Sequence, residues 1–175
     1  MAITRLSGTN AISGTLPAAN INDTSISNIT ALPAGVGGKV LQVVSTLSAV
    51  DTGTTGTAWV TSGLEASITP SSTSSKIFIK VSAPILAESL GTYASRYSIF
   101  RDNTTNLSLT SNGFGSFWKV TSGYFSLNTC MDCLDSPSTT SSVTYTAYMK
   151  SEGNSTVTRL GAGSTSTITL MEIAG

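Results

Sequence analysis

The amino-acid sequence predicts an all-β domain in which two sheets pack as a jelly-roll sandwich. Apolar and polar side chains alternate in short runs along most of the chain, and this period of two is typical of half-buried strands. Clusters of Gly, Ser, Thr, Asn and Pro separate the runs, and no stretch shows the spacing of an amphipathic helix. We count roughly eight to ten short strands.

The strands begin after a glycine-rich hinge at residues 32–38, where Pro33 and three glycines interrupt regular structure. A first strand is predicted over residues 39–47. A loop follows over residues 51–56, and a short pair of strands is predicted between residues 59 and 68.

The clearest strand covers residues 76–85, where the alternation divides the side chains between two faces. One face carries Ile77, Ile79, Val81 and Ala83, and the other carries Phe78, Lys80 and Ser82. Further strands are predicted over residues 93–101, 107–109, 114–120, 124–133, 143–149 and 168–173. Alternation places Phe117 opposite Phe114 and Trp118, and Tyr148 opposite Tyr145.

Charged residues make up only 10 % of the chain, and the nine Lys and Arg balance the nine Asp and Glu. Because those nine cations are spread evenly, we expect no nucleic-acid partner. The chain also has no run of about 18 apolar residues, and residues 1–8 lack the apolar core of a signal peptide. We therefore expect synthesis in a host cytoplasm and no insertion into a membrane.

Little in the sequence suggests catalysis or metal binding. Histidine, the commonest general base and zinc ligand, is absent. Cys130 and Cys133 have the C-x-x-C spacing, but in a strand they point to opposite faces roughly 10 Å apart, so we expect buried or half-buried free thiols. Asp135, beside Ser136 and Pro137, is interpreted as a turn residue. We expect no catalytic residue, cofactor or metal, and a glycosidase with converging carboxylates is the least favoured hypothesis.

The N-terminal residues 1–36 differ from the rest because they are polar and contain too few apolar side chains to bury a core. We interpret them as an extended anchoring arm with its hinge, and residues 37–175 as the β domain. The arm would order only against a partner, through small apolar anchors. These anchors are Ile12, Leu16, Ile21, Ile26, Ile29 and Leu32.

Several segments together resemble a known family. Residues 134–137, the strand 143–149 and the terminal strand 168–173 are similar to the C-terminal half of a C1q/TNF-like jelly roll. Residues 11–21 and 37–44 resemble the attachment arm and first strand of small structural proteins of tailed bacteriophages. The resemblance implies a virion protein that forms a homotrimer through one sheet face.

Large apolar side chains on the outward faces of strands are the candidates for that trimer interface. They are Phe78, Phe117 and Tyr148. We expect a non-enzymatic virion protein, favoured as a trimeric capsid decoration (cement) protein that binds the shell through its arm. The alternative is a short tail or head fibre whose jelly-roll knob binds a host receptor.

Overall fold

The computed structural model describes residues 39–49, 51–89, 93–119, 123–153 and 156–175. Across these ranges the chain forms eleven antiparallel β-strands and no helix, so none that could cross a bilayer. The predicted arm, with its anchors Ile12, Leu16, Ile21, Ile26, Ile29 and Leu32, lies outside the described residues.

Six strands form one sheet, here sheet A. They are β1 (Val40–Ser48), β2 (Thr52–Thr54), β4 (Lys76–Ser89), β8 (Gly123–Asp135), β10 (Thr156–Leu160) and β11 (Ser166–Ile173). The long strand β4 is central: β8 pairs with one side of it, while β11 and then β10 pair with successive parts of its other side. β10 and β11 lie end to end beside β4, and β2 and β1 lie end to end beside them. Sheet A is therefore equivalent to four long strands.

Five strands form the opposite sheet, sheet B. They are β3 (Val60–Ile68), β5 (Tyr93–Arg101), β6 (Thr105–Asn106), β7 (Gly115–Lys119) and β9 (Val143–Ser151). β9 lies between β3 and β5, and β6 and β7 share the other side of β5. Sheet B is therefore also equivalent to four long strands.

The order of these eight long strands is that of a jelly roll. We count β1 with β2, β6 with β7, and β10 with β11 as one long strand each, and number the eight along the chain. Sheet A then has the order first, eighth, third, sixth, and sheet B has the order second, seventh, fourth, fifth. This is the arrangement of two Greek keys folded onto each other. The prediction of an all-β jelly-roll sandwich is confirmed.

The core lies between the sheets and is filled by the inward faces of their central strands. One alternating set of side chains in β4 and one in β9 point inward and are at most 2 % exposed. They are Ile77, Ile79, Val81 and Ala83 in β4 and Val143, Tyr145, Ala147 and Met149 in β9. At about 25 cal/mol for each Å² of apolar surface removed from water, this layer is the main favourable contribution to folding.

Some strand predictions are wrong in detail. β2 and β10 were not expected, because three- and five-residue strands next to glycines give too little alternation to recognise. In place of the predicted pair, Val60–Ile68 is one strand with a register shift between Thr61 and Glu65, where Gly63 has a φ of 80°. Leu107 to Leu109 follow the two-residue strand β6 as a bend instead of forming a strand of their own.

Pro84 occupies the middle of β4, a position that proline normally avoids because it cannot donate a ladder hydrogen bond. Its carbonyl accepts a hydrogen bond from Gly161 N at 2.8 Å, so its backbone groups face β10 and β11. Opposite Pro84 the chain leaves the sheet between β10 and β11. Gly161, Ala162 and Gly163 turn there with φ values of 91°, 43° and 70°. The missing donor of Pro84 thus coincides with an interruption of the neighbouring strand.

Asp135 ties the two sheets together, and its interpretation as a turn residue is wrong. It is the last residue of β8 in sheet A, and Arg101 of sheet B donates to both of its carboxylate oxygens at 2.9 and 3.0 Å. The Tyr145 hydroxyl donates to the same carboxylate at 2.8 Å. Burial, followed by the Asp135 contact, raises the pKa of Tyr145. Its hydroxyl therefore stays protonated and remains a donor.

Glu172 of β11 is a fully buried carboxylate at one end of the sandwich. Its carboxylate oxygens accept hydrogen bonds from Gln42 Nε2 at 2.6 Å, Ser71 N at 2.7 Å and Ser71 Oγ at 2.6 Å. Burial raises the pKa of Glu172, but the Ser71 and Gln42 hydrogen bonds outweigh it, and the pKa falls to about 2. The ionised carboxylate thereby holds the loop after β3 against β1 and β11.

We predict that Glu172→Gln lowers the free energy of unfolding by about 1–3 kcal/mol, because two strong charged acceptors are lost. Since folding lowers the pKa from 4.5 to about 2, the carboxylate contributes stability above pH 4.5 and loses it as the pH falls towards 2. Urea unfolding between pH 5 and pH 2 measures both effects. The variant should lose the part of the pH dependence due to Glu172, and an unchanged pH profile would contradict the assignment.

Candidate association surface

A row of apolar side chains crosses the outer face of sheet A. Val43 of β1 is paired with Met171 of β11, Met171 with Phe78 of β4, and Phe78 with Leu134 of β8. Directly opposite residues on one face have Cβ atoms about 4.5–5.5 Å apart, so the four side chains form a continuous line across the sheet. We call these four residues the apolar row.

The apolar row faces solvent. Val43 and Leu134 at its two ends are each 55 % exposed, and Phe78 and Met171 between them are half-buried. At the same end of the sheet, Val40 is 47 % exposed and pairs with Ile173. Contiguous apolar surface of this kind on a sheet face is typical of a site of association.

Polar residues border the apolar row on its other side. Two residues along each strand, the outer face carries Ser45, Thr169, Lys80 and Asp132 in the same cross-strand order. Lys80 and Asp132 are directly opposite each other and have opposite charges. An apolar centre with a polar margin is the usual composition of a protein interface.

The three predicted interface aromatics are not brought together. Phe78 lies within the apolar row on sheet A, as its predicted outward orientation requires. Tyr148 is half-buried on the outer face of sheet B, where its ring stacks on Phe100 with centroids 4.1 Å apart. Its hydroxyl donates to Asn103 Oδ1 at 3.1 Å.

The predicted outward orientation of Phe117 is wrong. Phe117 packs against the core and meets the ring of Tyr97 edge-on at 5.8 Å. Its neighbour Trp118 points outward instead and is 65 % exposed, with the Arg96 guanidinium 5.7 Å from its ring centre. Phe114 also packs against the core, because it precedes β7 and does not follow the alternation of that strand.

Sequence reasoning missed Val43, Met171 and Leu134 as partners of Phe78. Their outward orientation could be inferred from the alternation within each strand. Their alignment depends on the order and register of four strands that are distant in the chain, and no local pattern carries that information.

The two cysteines are free thiols on opposite faces of β8, as their spacing predicts. Cys133 is half-buried against the core, as expected. The expected burial of Cys130 is wrong, because the alternation of β8 places its side chain on the solvent-facing side of sheet A. Burial, with smaller effects of Asp135 and Asp132, raises the pKa of Cys133 to about 12. Among the described residues no group of three or more Cys, Asp and Glu side chains could hold a metal ion.

Three of the carboxylates in the described ranges form ion pairs with arginines. Asp135 pairs with Arg101, Glu152 with Arg96, and Asp51 with Arg159. Each of these carboxylates is thus engaged by a cation of the same chain.

Comparisons with known proteins add little to this description. No protein-family model and no curated protein matches the sequence. Among solved structures, the chain is similar to one from "Structure of infectious bursal disease virus Gx strain", with 8 % identity and a TM-score of 0.36. The match covers 77 % of this chain and 40 % of that chain. At this TM-score the likeness carries no argument about function.

We predict that iodoacetamide at pH 8 modifies Cys130 at least about ten-fold faster than Cys133, because the thiolate is the reactive form and Cys133 is both half-buried and protonated. Mass spectrometry of the two sites after timed quenching measures the ratio. In 6 M urea the two rates should converge, which controls for local sequence effects. Equal rates in the native protein would show that β8 does not place Cys133 against the core.

Proposed function

We propose that this chain is a non-enzymatic structural protein of a tailed-phage virion, a homotrimeric capsid decoration protein that its N-terminal arm attaches to the shell. The resemblance of residues 11–21 and 37–44 to phage attachment arms and first strands supports the virion role. The jelly-roll order of both sheets agrees with the C1q/TNF-like resemblance of the C-terminal strands.

The apolar row is the observation that carries the proposal. It places Phe78 and three further apolar side chains in one line on the outer face of sheet A. Burying such a line against another copy removes apolar area from water, at about 25 cal/mol for each Å². Three copies related by a three-fold axis would each cover the row of a neighbour.

The low charge of the chain also suits a densely packed assembly. Formal charges cancel overall, and the described residues use three of their acidic groups in internal ion pairs. Many copies can then lie side by side on a shell with little electrostatic repulsion between them. A neutral surface rich in Ser and Thr still offers hydrogen bonds to its neighbours.

The arm would supply the attachment. Each of its six apolar anchors would bind the shell weakly, and a trimer presents three arms at once. Linking three weak contacts raises the overall affinity through the effective concentration of the second and third arms.

We predict that Phe78→Asp abolishes the trimer and reduces the mass of the folded protein to one third at micromolar concentration, because a carboxylate in the middle of the apolar row would be buried without a partner. Leu109→Asp is the matched control, since Leu109 is a fully exposed apolar side chain in the loop between β6 and β7. Light scattering on the full chain reports the mass. A monomeric wild type, or a Phe78→Asp variant that keeps its mass, would refute trimerisation through this face.

We predict that replacing the six arm anchors by Ser leaves a thermally cooperative trimer that no longer binds the virion. This change keeps the length of the arm, and deleting residues 1–34 should have the same effect. Sedimentation of particles with added protein measures binding. Truncated protein that still binds particles would contradict the arm assignment.

Particles that lack the protein separate the decoration role from the fibre alternative. A decoration protein predicts particles that assemble but lose resistance to heat or low salt, with normal adsorption to cells. A receptor-binding fibre predicts the reverse, with stable shells and failed adsorption. The two measurements on one deletion strain decide between them.

A further inference from the structure

The four edges of the sandwich differ in how well they are protected against pairing with another strand. Three of the edges are interrupted. The edge formed by β1 and β2 is divided between two strands, and β1 has a register shift near Val40. The β3 edge has a register shift near Gly63, and the edge formed by β6 and β7 is divided by residues 107–114. β8 is a continuous strand of thirteen residues that pairs with β4 without any register shift. Within the described ranges no strand pairs with its other side.

The backbone groups on that free side can be identified from Pro84. Its carbonyl accepts from Gly161, so the backbone groups of Pro84 face away from β8. Asn128 is directly opposite Pro84 and therefore forms no hydrogen-bonded pair with it. The N–H and C=O groups of Asn128 point to the free edge, and with the period of two the same holds for every even-numbered residue of β8.

The side chains of these residues do not block the edge. Natural edge strands are usually protected by Lys, Pro, a bulge or an inward charge. The even-numbered residues are Tyr124, Ser126, Asn128, Cys130, Asp132 and Leu134, all exposed on the outer face. Asp132 is the single charge among them, while Tyr124 is 73 % and Leu134 55 % exposed.

We propose that the free edge of β8 pairs antiparallel with β8 of a second copy of this chain, about a two-fold axis at Thr129. The two copies of sheet A then form one continuous sheet. In this register Tyr124 lies opposite Leu134 of the second copy, and Ser126 lies opposite Asp132. Asn128 lies opposite Cys130, and each of these pairs exchanges two backbone hydrogen bonds.

This register is the one that the β8 sequence fits best. Thr129 is the midpoint of Gly123–Asp135, so all thirteen residues overlap. The two large apolar side chains exposed on the outer face of β8, Tyr124 and Leu134, meet each other twice, and no two carboxylates are opposed. A shift of two residues in one direction places Tyr124 opposite Asp132. The same shift in the other direction places Leu134 opposite Ser126.

The edge pairing does not depend on the proposed function, because its hydrogen bonds come from backbone groups at the edge of sheet A. Of its side chains, Leu134 alone also belongs to the apolar row. A protein of any function with this edge would pair in the same way. Its tests must therefore read out β8 itself, whether or not a trimer forms.

Disulfide trapping in the full chain tests the register. In a Cys130→Ser background, Tyr124→Cys with Leu134→Cys should form a doubly linked dimer under mild oxidation. Directly opposite Cα atoms about 5.5 Å apart suit a disulfide, whereas the two thiols of one chain are about 33 Å apart. The matched control, Tyr124→Cys with Asp132→Cys, tests the shifted register and should cross-link at least about ten-fold more slowly. Equal or faster cross-linking of the control would overturn the proposal.

A proline at the edge tests the backbone hydrogen bonds. Asn128→Pro removes an N–H that points to the free edge, so pairing between copies should be lost while pairing with β4 is retained. Asn128→Ala keeps the N–H and should leave the assembly unchanged. Sedimentation of the full chain should show the mass halved by Asn128→Pro alone, from six copies to three if the trimer forms and from two to one if it does not. A folded Asn128→Pro variant of unchanged mass would overturn the proposal.

Discussion

The structure depends on the two-sided pairing of β4. This strand is joined to β8 along one side and to β10 and β11 along the other, while its odd-numbered side chains from Ile77 to Ile85 are at most 1 % exposed. Because side chains alternate strictly, burying Ile77 and Ile79 forces Phe78 to the outer face. The apolar core and the apolar row are therefore consequences of the same strand.

Charge is used sparingly but at places where it determines the shape of the sandwich. Asp135 joins the end of β8 to β5 and β9 through Arg101 and Tyr145, and Glu172 joins the loop after β3 to β1. Removing one partner from a buried polar group of this kind leaves the other without a hydrogen bond, which costs more than the bond itself contributes. These residues thus fix the alignment of the sheets more than they add to the net stability.

The inward faces of β4 and β9 could be predicted from the sequence because eight or more residues alternate without interruption. β2 and β10 could not, since each is too short to show a period and is held in place by its neighbours. Phe117 was misassigned because its inward packing depends on Tyr97 of the adjacent strand. The apolar row required the register of four strands, which tertiary pairing determines and local sequence does not.

The turn of residues 161–165 between β10 and β11 offers a practical use. Pro84 leaves no donor for the chain to pair with there, and Gly163, Ser164 and Thr165 are exposed at its tip. A Cβ atom at Gly163 would meet no atom within 4 Å. Loop length is inexpensive, with each doubling costing only about 0.6 kcal/mol. A foreign peptide inserted after Gly163 would therefore be displayed outside the sheet without disturbing its ladder, which makes this turn the position of choice for epitope presentation.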